Sequence, residues 1–333
     1  MKERINWIDW VKAICITGVV FMHLPQDSDT FYLRYVGAVF LTPFFFISGY
    51  LKKPTVSMKE TYRKYGYSLL VPYLIYNAIY YPYWLAKFYI ENGGTVGVTD
   101  CLKPIVGTVL LQLNSNISTE LCGVTWFLPA LFLMHCITDI CNRQRHGKAV
   151  MLIFSLVAVV LYGANKYYNY APNLTYHGFI RSLCFFFMGN LFRQKGYLKH
   201  LNSWKDLTIG TVTFVLSLAV FYWHIHEDRF VLHIILYFVV CILATYGILY
   251  LCKAVNSLKS QFVTWTAIGT MVILGLHPIF TGCIDFGLEK VFQIADISYH
   301  WCETILMSLF IVALHHPIIR YARKHAPILI GKK

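Results

Sequence analysis

The chain has 333 residues, of which 57% are hydrophobic and only 14% charged. A soluble domain carries about 25% charged residues, so a chain this apolar lacks the polar surface to cover itself in water; an ordinary soluble enzyme, a disordered chain, a collagen and a coiled coil are excluded, and a polytopic membrane protein remains. The 29 basic against 16 acidic side chains, a net +13, are first a topology signal and only then a pointer to anionic partners.

Apolar runs bounded by charge or turn residues predict an all-α polytopic membrane protein of about ten transmembrane helices. They lie near 8–25, 31–51, 66–88, 124–141, 149–164, 178–192, 206–223, 230–252, 263–280 and 299–318. The stretch 105–122 reads as an amphipathic helix at the surface. With the N-terminus inside, the inner segments 1–12, 52–64, 142–148, 193–205, 253–262 and 319–333 hold 22 Lys and Arg. The outer segments hold six: Arg34, Lys87, Lys103, Lys166, Arg229 and Lys290. This asymmetry puts both termini in the cytoplasm. The first run carries Asp9 and Lys12 with no small-residue cleavage site after it, so it reads as a span and not a cleaved signal. Without an internal repeat or low-complexity linker, residues 1–333 are expected to form one membrane domain. Cys15, Cys136, Cys184, Cys241 and Cys252 sit in apolar runs as small hydrophobes. Cys101, Cys122, Cys283 and Cys302 fall near the outer side, where pairing is open.

Ionisable groups inside spans are costly and mark function by default. In the first span Lys12 and His23 are eleven positions apart. At 100° per residue they fall within about 20° of one helix face, about 16 Å apart along the axis. Asp9, three residues before Lys12, lies near that face and is placed to pair with it. Headgroup anchoring explains Asp9 and Lys12 equally well. His23, just before Pro25, suits acid–base chemistry or a satisfied core position. Farther along, Ser48-Gly49 fits close helix packing. The loop from Lys52 to Lys64 carries five positive charges against Glu60, as either an inner anchor or a phosphate site. Arg181 lies within a span. His277 stands in Gly275-Leu-His277-Pro278, and His315-His316 sits at the inner end of the last span. Aromatic belts account for most of the 17% aromatic content. No metal cluster has usable ligand spacing, and no phosphate loop, dinucleotide fingerprint or serine nucleophile elbow is present.

Four segments resemble the acyltransferase-3 family of integral membrane O-acyltransferases. They are Ile8-Asp9-Trp10-Val11-Lys12 with His23 after ten further residues, Pro43-Phe-Phe-Phe-Ile-Ser48-Gly49-Tyr50-Leu51, Thr125-Trp126-Phe127-Leu128 with Phe185-Phe-Phe-Met-Gly189 after it, and Ile268-Gly269 through His277. Lys12 stands where the family has Arg, keeping the charge without the bidentate fork. Arg63-Lys64 and Tyr67 stand where the family has a pair of arginines. The SGNH-type esterase domain of some members is not seen, so a stand-alone form is expected. The resemblance implies transfer of an acyl group, typically acetyl from acetyl-CoA, to a hydroxyl of an extracytoplasmic glycan or glycolipid at the inner cell membrane. It implies His23 as general base, or as the group that itself takes the acyl, Asp9 orienting Lys12, and Lys12, Arg63, Lys64 and Ser48 on the donor. Trp126, His277 and Arg181 would serve the acceptor side. The implied partners are acyl-CoA, a cell-surface glycan or lipid-linked saccharide, and membrane lipids, with no nucleic acid and no metal. A transporter or flippase for a lipid-linked saccharide is the rival reading; it would ignore CoA.

Overall fold

The computed structural model describes residues 4–27, 31–170, 173–199, 201–290, 293 and 297–332. Lys2 and Lys333, both among the inner charges, lie outside the described residues. Each of the ten apolar runs is helical over most of its length. The helices are α1 (Asn6–Met22), α2 (Phe31–Val39), α3 (Thr42–Leu51), α4 (Met58–Tyr65), α5 (Val71–Glu91), α6 (Val98–Val109), α7 (Phe127–Arg143), α8 (Gly147–Tyr167), α9 (Leu174–Lys195), α10 (Ser203–Ile225), α11 (Phe230–Ala254), α12 (Gln261–Ile268), α13 (Thr270–Lys290) and α14 (Trp301–His325). Among the described residues β pairing is confined to isolated bridges.

Seven helical stretches among the described residues are long and apolar enough to cross a membrane: Phe31–Leu51, Gly123–Arg143, Gly147–Tyr167, Ser203–Ile225, Phe230–Ala254, Thr270–Glu289 and Trp301–His325. α1 is too short for that test at 17 residues. Its end comes at Met22 and not near Pro25, because a proline lacks the amide hydrogen and turns the residue before it away from helical geometry. The second run breaks between α2 and α3. The third begins with a π-turn, Gly66–Leu70, that leads into α5. α5 then continues through Pro82. The surface helix near 105–122 is shorter and earlier than its sequence pattern: α6 stops at Val109, and Leu111 and Gln112 take left-handed φ of 56° and 66°.

The chain divides into two compact units. The first comprises residues 1–51, 185–273 and 280–321; the second comprises 52–184, 274–279 and 322–333. In lipid, helices associate through close packing and internal hydrogen bonds, not through exclusion of water, and both units show this. In the first, a Cβ on Gly49 would lie 2.0 Å from the Phe186 carbonyl oxygen, and one on Gly189 would lie 1.9 Å from that of Phe46. α3 and α9 therefore meet backbone to backbone. Tyr35 and Ser217 share a buried hydroxyl hydrogen bond of 2.5 Å, and Thr42 and Thr245 one of 2.7 Å. The Asp206 carboxylate holds the Lys253 ammonium at 3.0 Å, both side chains almost wholly buried.

The second unit is organised by a polar cluster. Asn77 donates to the Thr125 hydroxyl at 2.9 Å and accepts from Gln112 at 3.1 Å and from the Cys122 amide at 3.3 Å. Gln112 also donates to Thr125 and accepts from the Leu121 amide. These bonds pin the segment 110–126 to α5. All ten cysteines, Cys101, Cys122, Cys283 and Cys302 among them, are free thiols.

Candidate functional site

α1 carries the histidine of the first span. It runs unbroken from Asn6 to Met22, so an ideal helical register links Lys12 to the helix end. His23 is the C-cap, with φ −104° and ψ 3°. The residue is exposed as a whole, and Nδ1 lies 2.7 Å from the Val19 carbonyl oxygen. A carbonyl only accepts, so Nδ1 carries the proton and Nε2 bears the lone pair.

The turn after His23 is tied to the segment preceding α14. The Tyr299 amide donates to Pro25 at 3.1 Å, and the Asp27 amide to Tyr299 at 3.3 Å. Beside this tie lies a hollow of about 530 Å³ whose lining includes Ser298, Tyr299, Glu303 and Phe310. At the other end of α1, Asp9 is buried and grips Arg4: Nε donates to Oδ2 at 2.7 Å and a terminal nitrogen to Oδ1 at 2.9 Å. The guanidinium fork thus comes from Arg4, a residue the spacing argument passed over in favour of Lys12. Asn6 and Trp10 bond the 256–258 carbonyls, fixing the entry of α1. Lys12 is half-buried. Ser48 is half-buried at the α3–α9 seam, where packing accounts for its neighbour Gly49.

In the second unit the basic loop is a built structure. Ser57 caps α4 by accepting from the Glu60 amide, while the Glu60 carboxylate accepts from the Val56 amide at 2.7 Å. Arg63 and Lys64 sit in the last turn of α4, and Tyr67 and Ser68 follow on the π-turn, at i+4 spacing. Together with Glu60 and Gly331 they line a pocket of about 630 Å³. π-turns recur at functional sites because the extra residue re-aims the backbone.

The loop is anchored by a residue that the sequence reading did not single out. Asp139 on α7 accepts from Lys52 at 3.4 Å, Thr55 at 3.0 Å, Thr61 at 2.8 Å and Arg143 at 2.9 Å. Lys52 and Asp139 are buried at 1% and 4% side-chain exposure. Burial pulls the Lys52 ammonium below its usual range, and Asp139 opposes that shift. The signal was there in the sequence as a carboxylate inside an apolar run. His135, one turn earlier, stacks on Tyr65 with ring centroids 3.6 Å apart.

Trp126 closes a short 3-10 turn, Gly123–Trp126, and seats its ring where a Cβ on Gly178 would stand, 1.9 Å away. Arg181 follows Gly178 on α9 by three residues, on the adjoining part of that helix surface. His277 is fully buried, and Gly275, two residues before it, packs against the Tyr76 ring. Within its own unit the structure thus joins Trp126 to the helix of Arg181, and Arg63 to Lys64. No group of three metal-ligating side chains is found among the described residues.

A family model described as an acyltransferase domain matches residues 5–318. Among curated proteins, the nodulation protein NolL of Sinorhizobium fredii (strain NBRC 101917 / NGR234) is 36% identical over 112 residues, or 30% of this chain. The chain spans 31% of the length of that relative. No solved structure matches. The family match begins one residue before α1, contains His23 and the basic loop, and ends within α14. The chain belongs to the acyltransferase-3 family.

Proposed function

We propose that the protein is a multi-pass O-acyltransferase of the inner cell membrane, moving an acyl group, acetyl by preference, from cytoplasmic acyl-CoA to a hydroxyl of an extracytoplasmic glycan or glycolipid. The observation that carries this reading is the His23 geometry within a family-matched chain. A ring whose Nδ1–H is committed to Val19 presents Nε2 as a base. In the proposed step Nε2 takes the acceptor's hydroxyl proton as its oxygen attacks the thioester carbon. The tetrahedral intermediate then collapses, the C–S bond breaks, and the CoA thiolate recovers the proton from the imidazolium.

The pocket of Arg63, Lys64, Tyr67 and Ser68 has the chemistry for the donor's phosphates. Lys12 and Ser48 are assigned to the donor as well, on the strength of the family pattern. Asp9 acts through Arg4, holding the entry of α1. Trp126, Arg181 and His277 are assigned to the acceptor side, and the hollow beside Tyr299 offers a carboxylate and aromatic rings of the kind that hold a sugar. We place ten spans in the bilayer with both termini in the cytoplasm, on the 22-to-six division of basic residues. The match across 5–318 supports reading the chain as one catalytic domain.

The test is purified protein with labelled acetyl-CoA and a cell-surface glycan extract, read by mass and by free thiol released. His23→Ala is expected to abolish acetyl transfer while CoA still binds. Full transfer with Ala at position 23 would remove the mechanism.

A further inference from the structure

The basic pocket has a wall that no motif announces. Gly331 lines it, brought there by the turn that follows α14. Three features fix that turn. Pro327 opens a short 3-10 helix, Pro327–Ile330. Gly331 takes a left-handed φ of 68°, and the Gly331 and Lys332 amides close back on Ile328 and Pro327 at 2.9 and 3.0 Å. Glycine adopts that φ without the steric cost other residues bear. Finally, the Tyr76 hydroxyl donates to the Leu329 carbonyl at 2.6 Å. Tyr76 is itself fully buried, with its ring against Gly275. The turn is therefore locked to α5 from beneath.

The consequence is electrostatic. Lys332 follows Gly331 directly and is exposed, so its side chain starts one residue from the rim of the concavity that Arg63 and Lys64 line. The acidic side chain in the lining, Glu60, already accepts from the Val56 amide. Like charges gathered in one hollow repel unless an anion of several charges sits among them. We propose that the C-terminal turn Ala326–Lys332 is a wall of the donor pocket and that Lys332 contacts the phosphate groups of the donor. This rests on the reading of the pocket given above. Lys332 would touch the donor, while Tyr76 positions the turn.

The experiment measures CoA binding calorimetrically, with the full chain in nanodiscs of zwitterionic phosphatidylcholine. Lys332→Gln is expected to weaken CoA by about threefold to tenfold and to flatten the salt dependence, with Lys332→Arg restoring both. Tyr76→Phe is expected to raise the KM for acetyl-CoA more than it lowers kcat. If Lys332→Gln leaves CoA affinity unchanged while Arg63→Gln with Lys64→Gln weakens it, the role of the turn is overturned and the pocket stands. If neither change affects CoA, the pocket reading falls too. An effect of Lys332→Gln that emerges only when phosphatidylglycerol is added would identify a lipid headgroup contact and overturn the donor role.

Discussion

His23 commits one ring nitrogen to the backbone of its own helix, and that bond sets its chemistry. A base of this kind works only when unprotonated. The rate is expected to be flat at alkaline pH and to fall as pH drops through the ring's pKa, ordinarily about 6.5. A pH–rate profile of acetyl transfer checks this; a rate unchanged from about pH 5 to 9 with chemistry limiting would contradict it. His23→Gln keeps a hydrogen-bonding side chain but supplies no base, and a loss of about 10²-fold or more in kcat is expected. Arg4 shows why residue-level reading of spacing stops short. Helical periodicity ranks partners along α1, but Arg4 precedes the helix, and its fork suits a carboxylate better than an ammonium does.

Between helices, stability is concentrated in a few seams. Gly189→Ala forces a Cβ to within 1.9 Å of a backbone carbonyl oxygen that has no rotamer to yield. A loss of more than about 2 kcal/mol is expected, seen as a lowered Tm in detergent. Gly287→Ala on α13 is the control, since a Cβ there meets nothing within 4 Å. It should leave Tm unchanged or raise it slightly, alanine being the better helix former. Asp139→Asn strands the buried Lys52 ammonium without its charge partner. Breaking such a pair costs about 3–5 kcal/mol, and the whole 52–64 loop hangs on this carboxylate through Thr55, Thr61 and Arg143. Both thermal unfolding and CoA binding should suffer, whereas Lys59→Gln, which is in none of these bonds, should alter neither.

At the scale of the molecule, the charge division predicts that reporters fused to either terminus report the cytoplasm, and that one inserted at Asp228 reports the outside. The opposite result at either terminus would reverse the topology. The helical elements were legible because long apolar runs admit no other backbone in lipid. The breaks inside them were less so. The α12–α13 junction falls at Gly269, whose Cβ position is occupied by the Ile319 side chain, a neighbour fifty residues away that no local pattern reveals. The histidine and the basic loop stood out because charge inside an apolar chain is conspicuous. Asp139 gave the same signal and was passed over, whereas the Asn77–Gln112–Thr125 cluster is uncharged and takes its meaning from partners brought together only by folding. Gly331 reads as part of an ordinary basic tail until the Tyr76 bond to Leu329 holds its turn against α5.

The π-turn at Gly66–Leu70 holds one residue more than the regular coil it replaces. Loss of a single codon there would let the coil regularise. Arg63 and Lys64 would then keep nearly the same face relative to Pro72, because the widened turn already absorbs the extra residue, and every charge of the loop would still be encoded. Such a deletion would remove only the widened backbone beside the pocket, so a loss of donor binding in that variant would separate the shape of the turn from the charges it carries.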